Sequence, residues 1–434
     1  RVLSSKGASE PGQWKTSRTP YLREVMDCLS SSSDVERVVV IKAAQLGFTS
    51  AALNWIGYIM DHSPGPILMV VPSEKLLEEL VAQDLNPLLR ETPALASLVS
   101  DLPRTAANRK DLREFPGGLL MMMGANSADN YRQKKVKYLI CDDLDAWPWE
   151  VGEEGDPIGL LARRQSTFGS RRKALLNSTP TIEGASRISE EYGYSDQRRY
   201  HVPCPHCREL LVLRWTASPD EPWNGQLKWS IDPVTKEPKH VVYVCGHCGS
   251  EIEEHHKTEM LKERDHGGQA RWVPKFPGRA TRGYQLSGLY APIGLGYRWN
   301  ELVREWLRAQ GDRANLKRFV NTVLGEPWED RTHTISDRSL AERAEAYGLR
   351  EIPPGCLLLT CGVDVQPDRL ELQVLGHGRG KVTWTIDYLV IAGSPARDDV
   401  WDTLTDYLVK PFINRFGREL RIEATAVDTG GHNT

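Results

Sequence analysis

A run of β-branched residues, Val38-Val39-Val40-Ile41, empties directly into Lys42-Ala43-Ala44-Gln45-Leu46-Gly47-Phe48-Thr49. No other stretch constrains the fold as much. This short apolar strand belongs to an alternation of strands and helices along the chain, which argues for a parallel sheet flanked by helices. The spacing that follows matches the phosphate-binding pattern G-x-x-x-x-G-K-[ST] with its lysine moved. Gly47 and Thr49 hold the second glycine and the hydroxyl positions, Phe48 stands where lysine belongs, and Lys42 replaces the first glycine. A loop curled around a phosphate brings its first residue near its seventh, so an ammonium from either end reaches the same oxygens. Gly47 lets the backbone approach the anion, the next helix points its N–H groups at it, and Thr49 offers a hydroxyl to Mg²⁺. Alone, the stretch also reads as a strand-to-helix turn with a chance Lys and Thr.

A second strand, Val136-Lys137-Tyr138-Leu139-Ile140-Cys141, ends in Asp142-Asp143. An acidic pair at the carboxyl edge of a parallel strand suits Mg²⁺ binding by Asp142 and water positioning by Asp143. Lys173-Ala174-Leu175-Leu176-Asn177 then runs into Ser178-Thr179-Pro180, a hydroxyl-rich strand end able to sense hydrolysis. An acidic turn and a Ser/Thr turn are each common alone. Their order after the loop gives the set its weight.

Four of the eight cysteines fall in Cys204-Pro205-His206-Cys207 and Cys245-Gly246-His247-Cys248. Two C-x-x-C knuckles make a tetrahedral thiolate cage for Zn²⁺, closed and therefore structural. His206 and His247 rank lower as ligands. The interval between the knuckles exceeds the usual ribbon and predicts extra strands or a hairpin. Cys28, Cys141, Cys356 and Cys361 read as small core residues, and the pattern fits a reducing cytoplasm.

With 434 residues the chain accommodates two or three domains, and 40% hydrophobic and 26% charged content are those of a soluble protein. No apolar run approaches a membrane span, and no signal peptide is visible in a sequence that begins at Arg1. A formal net charge of −3 leaves any DNA contact to local patches such as Arg163-Arg164, Arg171-Arg172-Lys173, Arg198-Arg199 and Lys134-Lys135. Helices are expected near Tyr21–Met26, Ala51–Met60, Glu74–Leu89, Trp299–Gln310 and Ala314–Leu324, and a buried strand at Ile67–Pro72. Ile352-Pro353-Pro354-Gly355 marks a boundary. Beyond it, Leu358–Asp364 and Leu370–Leu375 form a predicted hairpin, followed later by Ala424-Thr425-Ala426-Val427-Asp428. Asp364 and Asp428 sit at strand ends, where they serve equally as turn residues or as ligands of a two-metal nuclease.

Trp14, Pro20-Tyr21-Leu22-Arg23, the Lys42-first loop, Asn130-Tyr131-Arg132, Ser178-Thr179-Pro180, the first knuckle, Leu324-Gly325-Glu326 with Trp328-Glu329, Gly362-Val363-Asp364 with Asp368-Arg369, and Asp428-Thr429-Gly430-Gly431 occur in order along nearly the whole chain. Together they resemble the large subunit of tailed-phage terminases of the lambda type. The resemblance implies an α/β fold: an ASCE P-loop ATPase with a parallel sheet over 1–335, an inserted zinc-ribbon-like element about 200–250, a linker over 336–355, and part of a ribonuclease H-like nuclease domain over 356–434. It implies ATP-driven packaging of double-stranded DNA into a prohead and metal-dependent cutting of the concatemer. A small subunit, the portal protein, a homo-oligomeric ring and work at the portal vertex in the host cytoplasm follow as further implications.

Residue by residue, the resemblance places Lys42, Ala43, Ala44, Gln45, Leu46, Gly47, Phe48 and Thr49 around the phosphates of ATP, with Mg²⁺ on Thr49 and Asp142. Asp143 prepares the attacking water. Trp14 and Tyr21 lie where adenine contacts are expected. Arg132 is the expected arginine finger, with Arg164 its rival, and Ser178 and Thr179 couple hydrolysis to motion. Asp364 and Asp428 hold nuclease Mg²⁺ or Mn²⁺, and Cys204, Cys207, Cys245 and Cys248 hold Zn²⁺. Two departures stand out: Asp143 replaces the commoner Glu, and the family's third nuclease carboxylate lies beyond Thr434, so weak or no cleavage by this stretch is expected. The rival readings are a helicase-like or other nucleic-acid remodelling ATPase, a non-enzymatic DNA-binding protein, and a stand-alone metal nuclease.

Overall fold

The apolar run becomes β1, Arg37–Lys42, and its side chains alternate between two cores. Val38 and Val40 enter one, Val39 and Ile41 the other. β2 (Pro66–Val71) does the same, with Ile67 and Met69 on one side and Leu68 and Val70 on the other. Burial on both faces is what a parallel sheet flanked by helices requires. The structure is a computed structural model and describes residues 1–5, 7–99, 111–126, 135–151, 155–329 and 345–428. It divides into two units, Arg1–Thr332 and His333–Thr434.

In the first unit β3 (Leu112–Phe115) and β4 (Gly118–Gly124) form a hairpin. β5 (Tyr138–Asp142), β6 (Lys173–Ser178), β7 (Arg198–Pro203) and the short β8 (Leu210–Leu211) follow. A separate three-stranded sheet comprises β9 (Gln226–Ile231), β10 (Pro238–Val244) and β11 (Glu251–Ile252). The extra strands or hairpin expected between the knuckles thus take the form of the β9–β10 hairpin. β12 (Arg271–Val273) and β13 (Arg282–Leu286) return to the large sheet, whose order is β8-β7-β13-β1-β6-β5-β2-β4-β3, with β12 on β7. From β7 to β4 every neighbour is parallel. β6, with the hydroxyl-rich end, lies between the lysine strand and the acidic strand. The registers Ile41 with Ser178 and Asn177 with Asp142 bring all three carboxyl ends to one edge.

Helix α1 (Leu22–Leu29) and helix α2 (Phe48–His62) pack on one face of this sheet through Leu22, Val25, Ala52 and Ile56. α3 (Arg187–Gly193) covers the other face with Ile188 and Tyr192. α4 (Trp299–Ala309) and α5 (Arg313–Phe319) follow β13, and α5 widens into a last turn at Val320–Leu324. Trp215 joins the inserted element to them, with its ring 5.0 Å from Phe319 and 5.6 Å from Trp306. Such aromatic contacts add to the area that each ring buries.

The second unit contains β14 (Leu358–Gln366), β15 (Arg369–His377), β16 (Thr383–Ala392) and β17 (Ile422–Val427), in the order β16-β15-β14-β17. The first three form an antiparallel meander, and β17 runs parallel to β14. Alternate residues Leu359, Cys361, Val363, Leu370, Leu372 and Val374 are buried, and α6 (Asp398–Leu408) packs on them with Val400, Leu404 and Tyr407. Asp387 anchors that packing by accepting hydrogen bonds from Tyr407 Oη at 2.7 Å and from the Arg350 guanidinium at 3.2 Å.

Candidate functional site

At the carboxyl edge of the large sheet, Lys42 Nζ donates to Asp143 Oδ1 at 2.9 Å. The displaced lysine therefore reaches the same spot as the acidic pair. Thr49 Oγ1 donates to the Asp142 carboxylate at 3.3 Å. Lys42, Thr49, Asp142 and Asp143 thus meet, although up to 101 residues separate them in sequence. Asp142 is 6% exposed. Burial pushes its carboxyl up to about 6; the adjacent Asp143 charge adds to the shift and Lys42 opposes it. Asp143 turns the chain with φ 47° and presents a half-exposed carboxylate. A buried carboxylate that ionises above about pH 6 and a hydroxyl beside it are a donor set for a hard, octahedral cation such as Mg²⁺. The Cα of Gly47 adopts φ 84°, which a side chain would strain, and the first-turn N–H groups of α2 lack intrahelical acceptors.

The loop is not uniform. Two of the backbone groups expected at the phosphates are committed elsewhere: Ala43 N–H donates to Leu286 O at 2.9 Å and Ala44 N–H to Thr322 O at 2.7 Å. Ala43 and Ala44 hold the loop rather than the anion, because their N–H groups point at neighbouring carbonyls. Gln45 follows with φ 61°, and from Gln45 onward no such backbone bond to a described residue ties the loop down before α2 begins. Phe48 and Leu46 are buried in the core, which leaves only their backbone for a ligand. Gly325 backs the start of the loop so closely that a Cβ there would lie 2.8 Å from Ala43 N.

Tyr21 has no exposed surface and packs against Phe48 and Tyr200. Its hydroxyl donates to Leu46 O at 3.2 Å. It supports the loop from beneath, at the base of the cavity that Trp14 also lines. Trp14 is better placed: it lies in the wall of this cavity of about 400 Å³, between the N-terminal segment and the loop, with Arg18, Gln45, Gly47 and Ser50. That volume suits a small ligand. Ser178 is 2% exposed; its hydroxyl donates to Thr179 O and accepts from Asp145 N–H. Asn177, which sequence reasoning passed over, is fully buried beside Asp142, and its amide interacts with that carboxylate, opposing the upward shift. Only its place at a strand end signalled it. Arg132 lies outside the described residues. Arg164 is described, in the last turn of the helix Pro157–Arg164.

The cysteine knuckles fold alike. Arg208 N–H donates to Cys204 O and Gly249 N–H to Cys245 O, at 3.0 and 2.9 Å, and both Arg208 and Gly249 have positive φ. Cys204, Cys207, Cys245 and Cys248 bring their sulfurs within 4.8 Å of one another. Two of the separations are 3.9 Å. Tetrahedral Zn–S bonds imply sulfurs about 3.8 Å apart, so the four thiols fit the ion. In the second unit, Asp428 N–H donates to Val363 O at 2.8 Å, which sets Asp428 beside Asp364 at the ends of adjacent parallel strands. Gln366 Nε2 donates to Asp364 Oδ2 at 2.6 Å.

A lysine, a hydroxyl and two carboxylates at the carboxyl edge of a parallel sheet define a P-loop ATPase, here carrying a second unit with a nuclease-like sheet. The family model described as phage terminase large subunit gpA, ATPase domain, matches residues 8–272, and that of its endonuclease domain matches 281–434. The second match begins within the first unit, just before β13, so the sequence families and the packing divide the chain differently. The terminase large subunit of Escherichia phage lambda is 28% identical over 99% of this chain and 67% of its own length. That of Enterobacteria phage P21 is 27% identical over the same shares. Among solved structures, the HK97 bacteriophage large terminase aligns over 98% of this chain and 72% of that one, at 12% identity and a TM-score of 0.45. The chain belongs to the phage terminase large subunit gpA family, whose two domains are a DNA-packaging ATPase and an endonuclease. Both domains are represented here, and nucleotide and divalent metal use come with them. Terminase large subunits work with DNA, a small subunit and a portal. Among the described residues, no helix is long and apolar enough to cross a membrane.

Proposed function

We propose that Lys42 is the phosphate-binding lysine of the packaging ATPase, and that Thr49 and Asp142 hold its Mg²⁺. The carrying observation is the 2.9 Å contact of Lys42 with Asp143, which puts an ammonium from the start of the loop where the acids are. Asp143 orients the attacking water through its exposed carboxylate. Gln45 to Thr49 offer backbone N–H groups to the β- and γ-phosphates, and the cavity beside Trp14 takes the base and ribose. Arg132 is the arginine offered across a subunit boundary, and Ser178 with Thr179 relays hydrolysis. Zn²⁺ on the four cysteines holds the inserted element together. Mg²⁺ or Mn²⁺ on Asp364 and Asp428 serves cleavage in the nuclease domain, over about 356–434, after an ATPase domain over about 1–335. The chain works as a ring at the portal vertex, on double-stranded DNA delivered by the small subunit.

The test is ATP hydrolysis by the chain, with and without double-stranded DNA, beside Lys42→Ala. Loss of about 10²–10³-fold in the variant is expected, the effect of removing one aligned donor to developing charge. Equal turnover by both proteins would mean that another group neutralises the phosphates.

A further inference from the structure

Asp145, two residues past the acidic pair, has no part in the roles above. Its carboxylate is nevertheless heavily committed. Oδ2 accepts from Thr181 N–H at 3.0 Å and from Thr181 Oγ1 at 2.9 Å, and Oδ1 accepts from Ile188 N–H at 2.8 Å. Its own N–H donates to Ser178 Oγ at 3.0 Å. One side chain therefore clasps the segment that leaves β6 to the turn that carries Asp143.

The clasp continues beyond Thr181. Thr181 O accepts from Asn321 Nδ2 and from Trp328 N–H, both at 2.8 Å, and Trp328 O accepts from Glu183 N–H at 3.0 Å. The same stretch, 321–328, contacts the phosphate loop: Thr322 O receives Ala44 N–H, and Gly325 lies against Ala43 in a spot with no room for a Cβ. Gln285 Nε2 fixes Gly325 O at 2.9 Å. These bonds form a closed circuit from the acidic turn to Thr181, from there to Asn321 and Trp328, and back through Thr322 to the loop that holds Lys42. A hydrolytic site needs its water-orienting group and its phosphate cradle fixed relative to each other, and the circuit spans that gap.

We propose that Asp145 is a positioning residue for ATP hydrolysis: by holding Thr181, it sets the distance between the acidic turn and the phosphate loop. It touches neither nucleotide nor metal. The role rests on the assignment of the ATP site to Lys42 and Asp142.

The test uses the full chain in single-turnover hydrolysis with protein in excess of ATP, and binding of a fluorescent ATP analogue. Asp145→Ala should hydrolyse about 10²-fold more slowly, the cost of a small misplacement of reacting groups. Its affinity for the analogue should change less than about threefold, since a loss in turnover alone marks an interaction made in the transition state. Thr181→Val, which keeps the backbone bond and loses the hydroxyl bond, should show a smaller loss, and Thr181→Ser should match wild type. Amide exchange provides a readout that local loosening would not move: Ala44, which Asp145 does not contact, should exchange faster in Asp145→Ala. Wild-type turnover by Asp145→Ala beside an inactive Lys42→Ala overturns the role alone. So does a parallel fall of turnover and affinity with Ala44 exchange unchanged. Normal turnover by Lys42→Ala removes the site assignment, and the role with it.

Discussion

The acids of the ATP site and those of the second unit are arranged oppositely. In the first, Asp142 is buried, and the cation that offsets the pair, Lys42, comes from the same chain and is already in contact. In the second, Asp364 and Asp428 are exposed strand-end carboxylates, side by side, and the neutral amide of Gln366 is the side chain that reaches Asp364. The acidic pair at the sheet edge thus carries its own counter-charge. The four thiols of the proposed Zn²⁺ site would go further, since a closed set of Cys ligands binds as thiolates.

If that ordering is right, metal removal should act most strongly at the thiols. Chelation of Zn²⁺ should lower the melting temperature on the order of 10 °C, because the energy of structural metal binding is also folding energy. Calorimetry with and without a chelator, and with Cys204→Ser, checks this. An unchanged melting curve would leave the knuckles as ordinary thiols.

Next in size is Asp142→Asn. The folded chain raises this carboxyl to about 6, so ionising it costs stability. The sign follows from linkage. Below the ordinary carboxylate pKa both states are protonated and nothing is lost; as pH rises through about 6, the folded state loses a proton it held more tightly than the unfolded state did. Asp142→Asn should therefore be more stable than wild type at pH 7.5, on the order of 1–3 kcal/mol, and gain less at pH 4.5. Denaturant unfolding at the two pH values measures it. The same variant should lose Mg²⁺-dependent hydrolysis. A destabilised Asp142→Asn would mean that Asp142 is a structural anchor.

Tyr21→Phe should cost about 1 kcal/mol, the worth of its bond to Leu46 O, and leave hydrolysis nearly unchanged. A large rise in the KM for ATP would restore Tyr21 as a nucleotide contact. The smallest effect belongs to Asp364→Asn. It should change the stability of the chain without metal by less than about 1 kcal/mol and abolish any stabilisation by added Mn²⁺. Melting curves across a Mn²⁺ titration decide it.

Much of the fold was legible because its signals are local. Val38–Ile41 announces an apolar strand, Gly47 a positive φ, and each C-x-x-C a knuckle. Unequal use of the loop was not legible. Ala43 and Ala44 differ from Gln45 only in what their N–H groups meet, and those acceptors, Leu286 and Thr322, are more than two hundred residues away. Tyr21 illustrates another limit: an aromatic residue near a nucleotide loop fits stacking and support equally well, and burial alone separates the two. Asp145 and Asn177 were overshadowed by Asp142 and Ser178, their more familiar neighbours. Nothing in the local pattern shows that Asp145 holds Thr181, or that the amide of Asn177 reaches the Asp142 carboxylate.

The central claim is that the lysine at the start of the loop does the work of the missing one at its end. A crystal structure of the chain with Mg²⁺ and a non-hydrolysable ATP analogue tests it most directly. The account predicts that Lys42 Nζ leaves Asp143 for the β- and γ-phosphate oxygens, with the metal between Thr49 and Asp142. A triphosphate bound at this edge with Lys42 still paired to Asp143, or bound at another loop, would contradict it.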